Sequence, residues 1–222
     1  EPIDPVRFIG NRSTGRMGVA IAEAAADRGA RVTLIAAHVS VEPPARPEIA
    51  IVRAETTSDL GAAVRAAMTD ADALVMAAAV ADFRPRRATS TKLTRDAALT
   101  VELEPTEDVL AGVSASLAAG DGRRRPVLVG FAAETGSLDR AADKLRRKGV
   151  DLLVANDVLE PGSGFGTDTN RVTILGADGS RDELPLLSKR EVADEILDRV
   201  VRLLDDRATA AQTESMAQET AT

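Results

Sequence analysis

Short apolar segments recur along this chain, and between most of them lies a stretch with the period and punctuation of a helix. Residues 31–37 (RVTLIAA), 49–54, 73–79 (ALVMAAA), 126–131 (PVLVGF) and 151–155 read as strands. Helices are expected over 17–28, from Thr57 or Ser58 through Met68, and from the acidic turn Thr106-Glu107-Asp108 onward. Two more are expected over 137–148 and from the capping box Ser188-Lys189-Arg190-Glu191 to about Asp205. Gly29 and Gly149 stand where two of these helices must stop. Parallel strands need long crossovers, and helices of this length supply them. The expected fold is therefore α/β, a doubly wound, mainly parallel sheet with helices on both faces. Residues 171–175 and 181–186 flank Asp178-Gly179, which predicts a β-hairpin at one edge or as a small extension. Residues 99–103 alternate like a half-exposed strand. One domain is expected over 1–205, and 206–222, rich in Ala, Thr, Gln and Glu, reads as a disordered tail.

Ligands of such sheets bind at the carboxyl ends of the strands, near the point where the strand order reverses. That directs attention to the turns after Ala79, Phe131 and Ala155. Composition removes most familiar chemistries from those turns. The chain has no Cys, Tyr or Trp and a single His, His38, which closes an apolar strand. Thiol nucleophiles, disulfides and Cys-based zinc sites are excluded, as is a Tyr–Lys redox pair. A formal charge of -7 and only four Phe argue against nucleic-acid binding. No apolar run approaches the roughly 18–20 residues that span a bilayer.

Residues 10–18 (GNRSTGRMG) form a polar, glycine-punctuated loop that leads into an alanine-rich helix. Backbone N–H groups and the positive helix end suit such a loop to an anion. It is not a P-loop, since Arg16 and Met17 stand where that motif needs lysine and a hydroxyl, and it is not G-x-G-x-x-G. Asp82 follows the 73–79 strand and suits either a sugar hydroxyl or a turn cap. Arg84, Arg86, Arg87, Lys92 and Arg95 form a basic run without an acidic residue, read either as a solvated loop or as a lid over phosphates. Phe131 sits among small residues, as a stacking platform or as core. Lys144, Arg146, Arg147 and Lys148 end a helix, where cations also complement the dipole. Residues 155–157 (AND) precede a long glycine-rich loop, 162–170 (GSGFGTDTN).

Taken together, six blocks in order resemble the phosphopantothenate–cysteine ligase family: EPIDPVRFIGNRSTGRMG, AAAVADFRP, TKLTR, VGFAAET, the spaced lysines before LLVANDV, and GFGTDTNRV. The resemblance implies a Rossmann-like ligase that activates the carboxylate of 4′-phosphopantothenate with CTP and Mg²⁺, then transfers the acyl group to L-cysteine. It implies catalytic roles for Asn11, Lys92 and Arg7. Nucleotide contacts are implied at Ala78, Ala79, Asp82, Lys92, Thr106, Glu107, Asp108, Val109, Phe131, Lys144 and Lys148, with the metal ligands unassigned. A homodimer in the cytoplasm, no membrane or nucleic-acid partner, and fusion to a flavin-dependent decarboxylase domain are also implied. The family carries a strand and a Gly-Gly-Thr turn ahead of the segment that begins at Glu1, so this chain is expected to lack the family's first strand. Two competing readings are a nicotinamide-dependent oxidoreductase on a similar sheet and a non-catalytic nucleotide-binding domain.

Overall fold

A computed structural model describes residues 1–95, 98–120, 125–135 and 140–220. The order is α1 (Arg16–Asp27), β1 (Val32–Ala37), β2 (Ile49–Ala54), α2 (Thr57–Ala67), β3 (Ala73–Met76), β4 (Phe83–Pro85) and β5 (Leu103–Pro105). There follow α3 (Val109–Ala118), β6 (Val127–Glu134), α4 (Ala141–Lys148), β7 (Leu152–Asp157) and β8 (Thr169–Asn170). The remaining elements are β9 (Thr173–Gly176), β10 (Arg181–Glu183), β11 (Leu187–Ser188) and α5 (Lys189–Thr220). The start of the 137–148 helix lies outside the described residues.

The α/β expectation holds. A five-stranded sheet runs β10-β9-β7-β6-β3, with β3, β6 and β7 parallel and the β9–β10 hairpin antiparallel at its edge. Alternation along β6 and β7 sorts the core into two layers. Leu128, Ala132, Leu153 and Ala155 pack with Leu60 and Val64 of α2, Leu110 and Val113 of α3, and Leu145 of α4. Val127, Val129, Leu152 and Val154 face the other way, against Ile21 of α1 and Val192, Ile196 and Val200 of α5. Helices therefore cover both faces.

β1 and β2 form a separate parallel pair. Among the described residues β1 pairs only with β2, and β3 only with β6. A cavity of about 1160 Å³ lies beside both, lined by Leu34 and Ile35 of β1, Leu74 and Val75 of β3, and Val64 and Leu197. Its rim reaches the 10–18 loop.

Four local expectations shift. Thr56, not Thr57 or Ser58, caps α2, through a reciprocal box with Asp59. The strand expected at 73–79 stops at Met76, where pairing with β6 ends at Gly130. The strand expected at 99–103 is instead Leu103–Pro105, paired with Phe83–Pro85 as an antiparallel arm, with residues 86–95 leaving β4 and 98–102 entering β5. The last helix does not stop near Asp205; it continues through 206–220, because that segment is rich in strong helix formers. Arg207 fastens this continuation, donating to Asp151 at 2.6 Å and to the Arg125 carbonyl at 2.9 Å.

Candidate functional site

The carboxyl ends of the parallel strands carry the candidate site, and the 10–18 loop closes over one side of it. Gly15 caps α1 with φ +82 and supplies no side-chain acceptor, so the first-turn N–H groups of α1 have no side-chain cap. A Cβ on Gly15 would lie 2.4 Å from Val39 Cγ1, and Ser40 N–H donates to the Thr14 carbonyl at 3.0 Å. The loop is thus seated on the segment leaving β1. There His38 holds φ +43 and stacks on Phe8 with ring centroids 4.5 Å apart. Gly10, Asn11, Ser13, Gly15 and Gly18 line the rim of the large cavity together with Ala78 and Ala79.

Asn11 bridges the loop to the strand exit. Its side-chain amide donates to the carbonyls of Ala79 and Val80 at 3.1 and 3.0 Å. Beyond them, the Thr106 hydroxyl donates to the Ala81 carbonyl at 2.5 Å, and Thr106 N–H to the Asp82 carbonyl at 3.0 Å. Asp82 is exposed. These contacts bring Asn11, Ala79, Asp82 and Thr106 close to one another.

Arg7 is tied by a clamp to Leu93, the residue after Lys92. The Asp4 carboxylate, with its side chain fully buried, accepts from Val6 and Arg7 N–H at 2.8 Å each and from Leu93 N–H at 3.2 Å. Arg7 lies 3.4 Å from the same carboxylate and donates to the Leu93 carbonyl at 2.7 Å. Leu93 is therefore gripped by both of its backbone polar groups, one residue from Lys92. Burial acts to raise the Asp4 pKa, but the Val6, Leu93 and Arg7 N–H donors and the Arg7 charge outweigh it, and the group lies below its ordinary value. Lys92 itself is exposed and forms no ion pair among the described residues. The basic run is less uncompensated than the sequence implied. Arg84 pairs with Glu104 at 2.8 Å, and Arg86 lies within 4 Å of Glu102 and Glu104, which β5 brings alongside. That leaves Arg87, Lys92 and Arg95 without an ion pair among the described residues.

The other lysines are held by carboxylates. Lys148 reaches both Asp108 oxygens, at 2.9 and 2.8 Å, while Asp108 caps α3 by accepting from Ala111 N–H. Burial acts to raise the Asp108 pKa, but the Lys148 and Ala111 hydrogen bonds and the Lys148 and Arg147 charges hold it below the usual value. Lys144 pairs with buried Glu134 at 2.5 Å, and Glu107 pairs with Arg65 at 3.1 Å. Phe131 packs partly buried against the α1–α5 core layer, and Val109 is buried in the other, so the Val109 side chain is not open to a ligand. Among the described residues none of Asp82, Lys92, Phe131, Lys144 and Lys148 lines the large cavity. No group of three or more His, Asp or Glu is arranged to hold a metal among the described residues.

Sequence reasoning missed several residues. Asp4 precedes Pro5 in an Asx-type turn, a readable signal. Glu134 gave none beyond its place after the strand. Asn156, more than nine-tenths buried at the end of β7, makes no side-chain hydrogen bond among the described residues; it lines a second cavity of about 440 Å³ with Asp157, Arg171 and Glu183. No helix among the described residues is long and apolar enough to cross a membrane.

The sequence profile of the DNA/pantothenate metabolism flavoprotein C-terminal domain family matches residues 1–204. The coenzyme A biosynthesis bifunctional protein CoaBC of Bacillus subtilis is 43% identical over 205 residues, covering 91% of this chain and 49% of that protein. Its counterpart in Mycobacterium bovis is 46% identical over 213 residues, covering 92% and 50%. The chain thus spans about half the length of these curated relatives. The crystal structure of the C-terminal domain of a CoaBC protein superposes with a TM-score of 0.75 at 37% identity, covering 93% of this chain and 91% of that one.

Proposed function

The chain belongs to the DNA/pantothenate metabolism flavoprotein C-terminal domain family, and we propose that it is the CTP-dependent ligase that joins 4′-phosphopantothenate to L-cysteine in coenzyme A biosynthesis. One observation carries the reading: Asn11 ties the uncapped start of α1 to the carbonyls leaving β3, at the carboxyl ends of parallel strands. A carboxylate is a poor electrophile, and transfer of CMP to it gives an acyl-cytidylate while pyrophosphate leaves. The cysteine amine then attacks the acyl carbon, loses a proton and expels CMP. Neither step needs a protein nucleophile, which agrees with a chain that has no Cys. Positioning and charge stabilisation supply the rate.

In this reading the α1 N-terminus and Asn11 hold the activated acyl group, and Arg7 fixes the arm that carries Lys92. Ala78, Ala79, Asp82 and residues 106–109 border the nucleotide, Val109 through its backbone. Phe131 serves from the core side. Lys144 and Lys148 meet phosphates by exchanging Glu134 and Asp108 for them. Mg²⁺ bound with a nucleotide takes one or two carboxylates plus phosphates, and exposed Asp82 is the carboxylate we assign to it. Bound there, the ion would offset the charge of departing pyrophosphate.

The large cavity is bordered by β1 and β3, each of which has a strand partner on one side only among the described residues. A homodimer is supported by Val6, Phe8, Phe83, Leu99 and Leu103, all exposed on the arm and the segment beneath it. The half-length match supports a ligase half fused to a decarboxylase half, and the family resemblance alone assigns it to the cytoplasm. Thermal shift tests the nucleotide. Ligand at 100 times its dissociation constant stabilises by about 2.7 kcal/mol, a rise of roughly 5–10 °C for a domain of this size. The rise is expected with CTP and Mg²⁺; a rise with NADPH and none with CTP would favour the oxidoreductase reading instead.

A further inference from the structure

The 162–170 loop is built rigidly and has no role in the reading above. Gly162, Gly164 and Gly166 all take positive φ, and Asn170 Oδ1 accepts from Ser163 Oγ at 2.7 Å and Gly164 N–H at 3.2 Å. Thr169 Oγ1 closes the loop onto the Gly162 carbonyl at 2.6 Å. Into it reaches Lys189, the first residue of α5 and only 8% exposed. Its Nζ donates to the Gly164 carbonyl at 3.1 Å and to the Thr167 carbonyl, and its N–H to the Asp168 carbonyl at 2.9 Å. Among the described residues no carboxylate pairs with this ammonium.

The placement is locally unfavourable twice over. A cation in the first turn opposes the helix dipole, and a buried ammonium loses its hydration. Burial first, then the nearby Arg16 charge, push its pKa below the ordinary value, with Asp168 opposing them. What the placement achieves lies across the site. Asp168, held through its own carbonyl, pairs with Arg16, the first residue of α1 and the one after Gly15. Arg16 Nε is buried without a hydrogen-bond partner, so the Asp168 contact is what orients that guanidinium.

We infer that Lys189 is a positioning residue, which pins the 162–170 loop so that Asp168 holds Arg16 and the anion-binding start of α1 in place. The catalytic consequence rests on the ligase reading; the mechanical coupling does not. Amide hydrogen exchange on the intact chain therefore comes first. Lys189→Met is expected to speed exchange about tenfold in both 162–170 and 10–18, leaving β6 and β7 unchanged. Lys189→Arg restores most of the protection. Asp168→Asn, at a side chain exposed enough to leave folding intact, speeds exchange only in 10–18, by about two- to fivefold. In the ligase assay, Lys189→Met lowers kcat about tenfold and moves KM for CTP by less than about twofold. Loosening confined to 162–170, or spread evenly over the sheet, overturns the inference. Should Lys189→Met not fold, unchanged exchange in 10–18 for Asp168→Asn overturns it as well. If the exchange pattern appears but neither parent nor variant forms the amide, the ligase reading fails and the coupling stands.

Discussion

Lys92→Gln is expected to form the acyl-cytidylate, release one equivalent of pyrophosphate and then stall before the amide. Lys92 is the one lysine among the three cations, with Arg87 and Arg95, that this segment presents without an ion pair among the described residues, while Lys144 and Lys148 are already engaged. Its neighbour Leu93 is held at both backbone groups by Asp4 and Arg7, so the charge sits at the end of a fixed support. Removing one preorganised group that stabilises developing charge costs about 10²–10³ in rate, or roughly 2.7–4 kcal/mol. Asn11→Asp is expected to stall at the same point for a different reason. The amide that donates to the Ala79 and Val80 carbonyls becomes a carboxylate that cannot donate and faces two acceptors. Single-turnover measurement of pyrophosphate and amide separates the half-reactions, and CTP binding is expected to survive in both variants. Loss of CTP binding in either, or parent-like amide formation, would contradict these roles.

Gly15→Ala is expected to damage activity more than its modest change in size suggests. An L-residue at φ +82 costs about 1–2 kcal/mol from backbone sterics alone. The added Cβ would also lie 2.4 Å from Val39 Cγ1 and 2.8 Å from Val39 Cβ, so Val39 or the loop must move. Strain and overpacking together predict a stability loss of about 2–4 kcal/mol. Movement of the loop would draw the α1 N–H groups away from the acyl group proposed to sit there and disturb the Ser40–Thr14 contact. Thermal melts and single-turnover rates on the same protein check both effects. A variant with parent-like stability and rate would mean that neither the left-handed Gly15 nor its contact with Val39 matters.

Much of the fold was legible because buried strands and amphipathic helices write their periods into local sequence. The Ser188–Glu191 box and the Asp178-Gly179 hairpin appear where their residues stand. The α2 cap was misplaced by one or two residues because Thr56, Thr57 and Ser58 are all competent cap residues, and only the position of Asp59 decides among them. Long-range pairing was not legible. Nothing near Arg84 announces Glu104, and nothing near Arg16 announces Asp168, 152 residues away. The same holds for the site. The 10–18 loop and the β3 exit could be singled out from residue type and place, but the Asp4–Arg7 grip on Leu93 exists only in the folded chain. Lys189 gave no signal because a cation is locally wrong at the start of a helix.

The most direct test assays 4′-phosphopantothenate and L-cysteine with CTP or ATP in turn, following pyrophosphate and amide together. Expected with CTP and Mg²⁺ is pyrophosphate release matched one to one by phosphopantothenoylcysteine, with ATP a poor substitute. Pyrophosphate from neither nucleotide would contradict the ligase assignment.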